Sequence, residues 1–279
     1  MKKYPLVSIN IRTYNSAKTL DETLGSIKAQ SYPYIEVLIA DRYSTDETVS
    51  IARKYRVKVH YAAKLGDARQ KNYEQSRGTY VCSVDSDQIL DKELINHCVA
   101  LCEQGYDAIT ISERSIVRNG TLIERIIAYD KWLIYKKRST YHVFGTACAL
   151  FFLKSLLMKT KWPKSILIFD DTILYAKLLE QGAKVGYLHK PCISHYEVNS
   201  WRQVFIKFFR YGKGYLEALR ELPLTVTTHS LPRRAYFSRA ALSKPHYLIG
   251  LFALYVVKAV AATMGMLSSI IDEIRYTNI

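Results

Sequence analysis

Over the first ninety residues, short apolar runs alternate with helical patterns, and several of the runs end in an acid. Residues 6–12, 35–40, 57–61 and 79–84 read as strands, and residues 17–30, 45–54 and 66–77 as helices. The run 35–40, Ile-Glu-Val-Leu-Ile-Ala, is almost wholly apolar, as a parallel strand covered on both faces must be. Leu20, Leu24 and Ile27 share one face of the first helix, and Ser44-Thr45-Asp46-Glu47 is a helix start with acids in the first turn. A chain that alternates in this way folds as an α/β protein with an open, mostly parallel sheet. Ligands of such sheets bind beyond the carboxyl ends of the strands. Thr13, Tyr14, Asp41, Asp85 and Asp87 all fall at those ends.

The stretch 79–90, Thr-Tyr-Val-Cys-Ser-Val-Asp-Ser-Asp-Gln-Ile-Leu, runs out of a strand into two acids one residue apart. Packing cannot stabilise two carboxylates at a strand tip, because each is costly to desolvate. At this spacing both reach one hard divalent cation and leave positions open for phosphate oxygens. Taken alone, the pair is as readily a solvated turn, since Asp and Ser are ordinary turn residues.

The second half is less regular. Helix 91–104 ends at Gly105, and 106–112 is a strand. A mixed basic and aromatic stretch runs from Arg114 to Tyr141. Residues 143–153 read as a loop entering a buried strand. Phe169-Asp170-Asp171-Thr172 opens a helix that ends at Gly182, and 185–188 is a short strand. From Ser200 onward, Trp201, Phe205, Phe208 and Phe209 interleave with Arg202, Lys207, Arg210 and Lys213, which suits a helix lying at a membrane interface. Tyr247–Ile271 then carries a single charge, Lys258, and is long enough to span a bilayer. Lys258 faces protein, meets a lipid phosphate, or marks a break between two helices. The expected organisation is a catalytic domain over 1–198, amphipathic interfacial helices over 199–245, and a membrane helix with its tail over 246–279.

The formal charge of +15 calls for an anionic partner. Its cations flank an apolar segment and no RNA or DNA module is visible, which argues against nucleic acid and for a membrane surface or phosphorylated substrate. Five cysteines, without zinc-ligand spacing, fit a reduced compartment. Met-Lys-Lys-Tyr-Pro leads straight into a strand, so no signal peptide is expected. More basic residues precede the apolar segment than follow it, which places the catalytic domain on the cytoplasmic face of the cell membrane.

Four motifs stand in one order. Leu-Val-Ser-Ile-Asn-Ile-Arg-Thr-Tyr-Asn, residues 6–15, is similar to V-S-I-I-I-P-T-Y-N, with Arg12 where proline is usual. Asp-Arg-Tyr-Ser-Thr-Asp-Glu-Thr, residues 41–48, is similar to D-D-G-S-T-D-x-T, with Arg42 and Tyr43 in place of Asp-Gly. Asp85-Ser86-Asp87 stands for D-x-D, and Asp170-Asp171 for Glu-Asp. Over about residues 5–215 the chain therefore resembles the family 2 inverting glycosyltransferases of GT-A fold. Its last part looks like their membrane-bound, cellulose-synthase-like branch, with Lys207-Phe208-Phe209-Arg210-Tyr211 where that branch has Q-x-x-R-W.

The resemblance implies a nucleotide-sugar donor. Asp87 would hold Mn²⁺ or Mg²⁺, with Asp85 either joining it or binding the ribose. His195 would complete the metal or phosphate site or serve as a structural histidine. Thr13, Tyr14, Asn15 and Ser86 would line the nucleotide pocket, Asp41 would accept a hydrogen bond from the base, and Lys71 would support base or phosphates. Arg69 would support base or phosphates too, but reads more readily as a charge on the outer face of its helix. Asp171 would be the general base, oriented by Asp170. Gly145 and Thr146 would sit near the acceptor, and Arg210 and Tyr211 near acceptor or diphosphate. Resemblance to dolichol-linked mannosyl transfer implies GDP-mannose as donor and a polyprenyl- or dolichyl-phosphate-linked acceptor. A UDP-hexose is the alternative donor, and a non-catalytic membrane scaffold the alternative role.

Overall fold

The computed structural model describes residues 4–136, 149–160, 168–221 and 234–277. The chain divides into two units. One comprises Met1–Glu113, Gly145–Ile166 and Asp170–His195; the other comprises Arg114–Phe144, Leu167–Phe169 and Tyr196–Ile279.

The first unit is built on a sheet of the strands β1 (Val7–Thr13), β2 (Ile35–Asp41), β3 (Lys58–Tyr61), β4 (Tyr80–Asp85), β5 (Gln88–Leu90), β6 (Ala108–Ile116), β7 (Ala149–Leu153) and β8 (Val185–Tyr196), in the order β3-β2-β1-β4-β7-β6-β8-β5. β3, β2, β1 and β4 run parallel, as the strand–helix alternation requires, while β7 is antiparallel to both β4 and β6. Helices α1 (Leu20–Lys28), α2 (Thr48–Lys54), α3 (Leu65–Gln75), α4 (Leu94–Glu103), α6 (Lys154–Lys159) and α7 (Asp170–Glu180) belong to this unit. α1 buries Leu20, Thr23, Leu24 and Ile27, the stripe expected from the sequence. α4 buries Leu94, Ile95, Cys98, Val99 and Cys102, so its two cysteines are core residues. β1 is central, and its two sides differ. Val7, Ile9 and Ile11 join the apolar core, whereas Ser8, Asn10 and Arg12 point the other way into polar partners. Gly78 enters β4 where a Cβ would lie 2.7 Å from the Ser8 backbone nitrogen, so only glycine fits there.

The second unit is helical. It contains α5 (Leu122–Lys136), α8 (Trp201–Lys213), α9 (Tyr215–Glu221) and α10 (Pro245–Thr277), with short helical turns at Arg234–Phe237 and Arg239–Leu242. Ile123, Ile126, Tyr129, Leu133, Val204, Leu251 and Leu254 form its core. α8 and α10 cross closely at two glycines. A Cβ on Gly212 would collide with the Ala262 carbonyl, and one on Gly265 with the Phe209 carbonyl. α10 is long and apolar enough to cross a membrane by length and composition.

Two local expectations change, and one of the alternatives for Lys258 is selected. The stretch from Arg114 contains α5, whose buried Ile123, Ile126, Tyr129 and Leu133 follow helical spacing. β8 continues to Tyr196 instead of ending at Leu188, because β5 pairs with its far end. α10 is one unbroken helix, and Lys258 faces protein: its Nζ lies 3.1 Å from Asp130 on α5. Tyr236 also donates to Asp130, at 2.8 Å. Gly145, Thr146 and residues 222–233 of the expected interfacial segment lie outside the described residues.

Lys258 and Asp130 are both largely buried, so removing the lysine takes a cation away from a buried carboxylate. Lys258→Met should lower unfolding stability by about 3–5 kcal/mol, and adding Asp130→Leu should restore most of it. Denaturant midpoints of the single and double variants test this; a single variant as stable as the native chain refutes it.

Candidate functional site

Strand register gathers several of the expected site residues on one edge of the sheet. Thr13 lies beside Asp41, Asp41 beside Tyr61, and Arg12 beside Asp85. Asp41 is fully buried and accepts from the Thr13 hydroxyl at 2.7 Å, the Ser44 amide at 2.7 Å and the Ser44 hydroxyl at 2.6 Å. Its carboxylate shapes the turn after β2. Asn15 clamps the same turn: its amide donates to Ser44 Oγ and its side-chain oxygen accepts from the Thr45 amide, each at 2.9 Å. Ser86 Oγ lies 2.8 Å from Ser16 Oγ, and its carbonyl accepts from Thr19 and Thr23. Asn15 and Ser86 thus hold the loops in place.

Beside Asp41 the surface is aromatic. Tyr14, Tyr43 and Tyr61 are exposed. Tyr43 and Tyr61 stack with ring centroids 5.3 Å apart, and the Arg42 guanidinium lies 5.3 Å from the Tyr14 ring. Tyr43 has φ 57°, which explains why glycine is usual at this place; a tyrosine there costs about 1–2 kcal/mol. Lys71 is spent locally, on Asp67 and the Tyr61 carbonyl, both at 3.2 Å.

The acids form two groups joined by one guanidinium. Potential ligand atoms of Asp85, Asp87 and His195 all lie within 4.8 Å of one another. Register with β5 sets His195 opposite Gln88, and its Nε2 lies 3.4 Å from Asp87 Oδ1. Two carboxylate oxygens and an imidazole nitrogen are a donor set that fits a divalent cation. Arg12 reaches Asp85 Oδ1 at 3.1 Å and Asp170 Oδ2 at 2.7 Å. Arg69 Nε reaches the same Asp170 oxygen at 2.6 Å. Carboxylates outnumber guanidiniums among the described residues of this cluster, a setting that a divalent ion would help to balance.

Asp170 and Asp171 share the first turn of α7 but have opposite electrostatics. Burial alone would raise the Asp170 pKa; Arg12 and Arg69 outweigh it and hold the carboxyl below the usual carboxylate range. Burial raises Asp171, and the Asp170 charge raises it further, against the pull of the two arginines. Asp171 Oδ1 caps the Thr172 amide at 2.8 Å, and among the described residues Oδ2 has no hydrogen bond. One neighbour is a fixed anion and the other a carboxylate poised to take a proton.

Arg69 is the clearest departure from expectation. It is buried, where an outer-face charge was expected, and also contacts Tyr73 Oη and Ser83 Oγ, each at 3.4 Å. Arg12 was missed as a site residue, although Val-Ser-Ile-Asn-Ile-Arg already places it in phase with Ser8 and Asn10 on the polar side of β1. Arg210 and Tyr211 lie on α8, in the helical unit: Arg210 is exposed, and Tyr211 packs against Phe208 and Phe169.

Residues 8–171 match glycosyl transferase family 2. The chain belongs to that family, and it is a glycosyltransferase. It is 26% identical over 235 residues to chondroitin synthase of Escherichia coli, covering 80% of this chain but 34% of that one. It is 25% identical over 223 residues to the putative teichuronic acid biosynthesis glycosyltransferase TuaG of Bacillus subtilis, covering 74% of this chain and 87% of TuaG. Among solved structures, the mannosyltransferase PcManGT of Pyrobaculum calidifontis, in complex with GDP-Man and Mn²⁺, aligns with a TM-score of 0.58 at 19% identity, over 93% of this chain and 74% of that one. TarS of Staphylococcus aureus, in complex with UDP-GlcNAc, aligns with a TM-score of 0.56 at 20% identity, over 91% and 81%. At these identities the likeness establishes the α/β GT-A fold.

Replacing Asp170 by Asn removes the charge that raises Asp171 and leaves the two arginines to lower it. With Asp171 as the base that the sequence leads one to expect, the acid limb of the pH–rate profile should move to lower pH. A limb that stays in place or moves up contradicts this assignment.

Proposed function

We propose that this glycosyltransferase moves a hexosyl unit from a nucleoside diphosphate sugar to a saccharide hydroxyl, at the cytoplasmic face of a membrane. The observation that carries this reading is the divided pair at α7, in which Arg12 and Arg69 fix Asp170 while Asp171 is left with a raised pKa. Asp171 takes the proton of the acceptor hydroxyl as its oxygen attacks the anomeric carbon in line, and the sugar inverts. Asp85, Asp87 and His195 would hold Mn²⁺ or Mg²⁺, which would neutralise charge growing on the departing diphosphate. Arg12, beside Asp85, supplies a second positive group at the same edge. Tyr14, Tyr43 and Tyr61 offer faces on which a nucleobase stacks, and the buried Asp41 keeps that turn in shape.

A UDP-sugar is the donor we favour. Chondroitin synthase and TuaG, by their names, serve polysaccharide synthesis, and TarS is known with UDP-GlcNAc. The acceptor that fits this company is a growing saccharide, presented on a lipid carrier to a protein with a basic, apolar helical unit. GDP-mannose is the second reading, supported by PcManGT, which was solved with GDP-Man and Mn²⁺.

Thermal shift with UDP, GDP and their sugars, with Mn²⁺ and with EDTA, tests the donor. A UDP ligand at a hundred times its Kd should add about 2.7 kcal/mol of stability, and GDP none. Asp171→Asn should lower kcat about 10²–10⁴-fold with nucleotide affinity unchanged. Full turnover by Asp171→Asn, or by Asp87→Ala in EDTA, defeats the mechanism.

A further inference from the structure

The helical unit holds most of the chain's excess charge. Residues 114–144, 167–169 and 196–279 include 18 basic and 7 acidic residues, so this unit carries +11 of the total +15. The same unit contains α10, the long apolar helix.

α10 touches protein along almost its whole length. Tyr247 stacks on Tyr129 at 4.7 Å between centroids, and Gly250 abuts Ile126. Lys258 pairs with Asp130 at 3.1 Å and lies 5.2 Å from the Phe208 ring centroid. Gly265 meets the Phe209 carbonyl, and Asp272 pairs with Lys213 at 3.2 Å. At about 1.5 Å per residue, the segment from Tyr247 to Asp272 is roughly 38 Å long. A bilayer crossing needs about 20 residues in hydrocarbon. No such length of α10 is clear of its neighbours, and those neighbours cannot enter hydrocarbon with it. α8 has 13 residues and presents Arg202, Lys207 and Arg210 to solvent. α5 brings Glu124, Arg125, Asp130 and Lys131. Charges at that depth are strongly disfavoured.

The opposite side of α10 is different. Phe252, Val256, Val260, Met264, Leu267 and Ile271 are exposed at three- and four-residue steps, one continuous apolar stripe. Exposed cations accompany it: Arg202 and Arg210 on α8, and Lys244 and Arg275 near the two ends of α10. An apolar face in a unit of +11 matches the boundary between acyl chains and anionic headgroups.

We propose that α10 lies in the plane of an anionic bilayer surface, stripe inward, and does not cross it. This rests on the membrane-attached reading above and specifies how attachment is made. Both ends of α10 stay on the side of the membrane that holds the catalytic unit. Charge brings the unit to the lipid, and the stripe inserts to headgroup depth.

Side-specific labelling of the full chain tests this. In a Cys148→Ser background, Lys28→Cys and Arg275→Cys are exposed positions, in the catalytic unit and at the end of α10 respectively. In sealed, inverted membrane vesicles from an expressing bacterium, a membrane-impermeant maleimide should label both to the same extent without detergent. Labelling of Arg275→Cys only after detergent means a crossing and overturns the proposal while leaving membrane attachment intact. Recovery of the chain in the soluble fraction, as a monomer or as a dimer joined through the stripe, overturns both. Val256→Asp with Met264→Asp should cut binding to phosphatidylglycerol vesicles about tenfold or more, with transfer to a water-soluble saccharide acceptor retained. Unchanged vesicle binding by that variant also overturns the proposal.

Discussion

Arg12, Asp170 and Arg69 form the interaction on which the site depends. Asp170 lies 158 residues from Arg12 and 101 from Arg69 in sequence, yet one of its oxygens takes both guanidiniums. The contact ties β1, α3 and α7 together at the carboxyl edge of the sheet. Burying one carboxylate with two guanidiniums is tolerable only because every member has a partner; removing the acid alone would leave two cations with too little compensation. The surplus positive charge does not stay idle. Arg12 passes it to Asp85, so the acid of α7 and the acid pair after β4 become one electrostatic system.

This coupling explains how two adjacent aspartates can do different work. A carboxylate beside a carboxylate cannot stay ionised at ordinary cost unless something neutralises the first. Here the arginines neutralise Asp170, and its residual field lifts Asp171. Asp170 is thus committed to the two arginine cations. The loops at the carboxyl ends of β1, β2 and β4 are also held by side chains. Ser86, Asn15 and Asp41 lock backbone to backbone, so Tyr14, Tyr43 and the two acids of the D-x-D stretch are presented from loops already fixed. Ordering those loops before a ligand arrives reduces the entropy lost on binding.

The fold was legible where periodicity and burial agree. Parallel strands buried on both faces must be apolar runs, so β1, β2 and β4 and the helices between them stood out. The acids were legible because a carboxylate at a strand end has no packing purpose. What escaped was set by tertiary partners. Arg69 has the sequence context of a surface charge, and only Asp170, a hundred residues away, makes a buried place for it. Lys71, two positions on, has the opposite fate. Arg12 was visible as an unusual residue, but its role required knowing that the polar side of β1 faces α3 and α7. α5 was overlooked because Arg118, Arg125 and Lys131 masked the spacing of Ile123, Ile126 and Leu133; composition overrode period. β5 is three residues long and exists only because β8 extends to meet it.

The apolar helix shows the converse limit of reading by composition. A run with one charge in 25 residues invites a single conclusion, since length and hydropathy ignore which side of the helix a residue occupies. Lys258 is the residue that breaks the degeneracy. A lone lysine in hydrocarbon must snorkel or pair, whereas here Asp130 and Tyr236 supply its setting from within the same unit. That pairing fixes the rotation of α10 about its own axis, and the two glycine contacts with α8 fix its depth along the crossing. Once rotation is fixed, the remaining apolar residues cannot be distributed around the helix; they are gathered on the one face that no described element of the unit covers. A buried ion pair therefore does in the helical unit what Arg12 and Asp170 do in the sheet: it selects one register among several that apolar packing alone would accept.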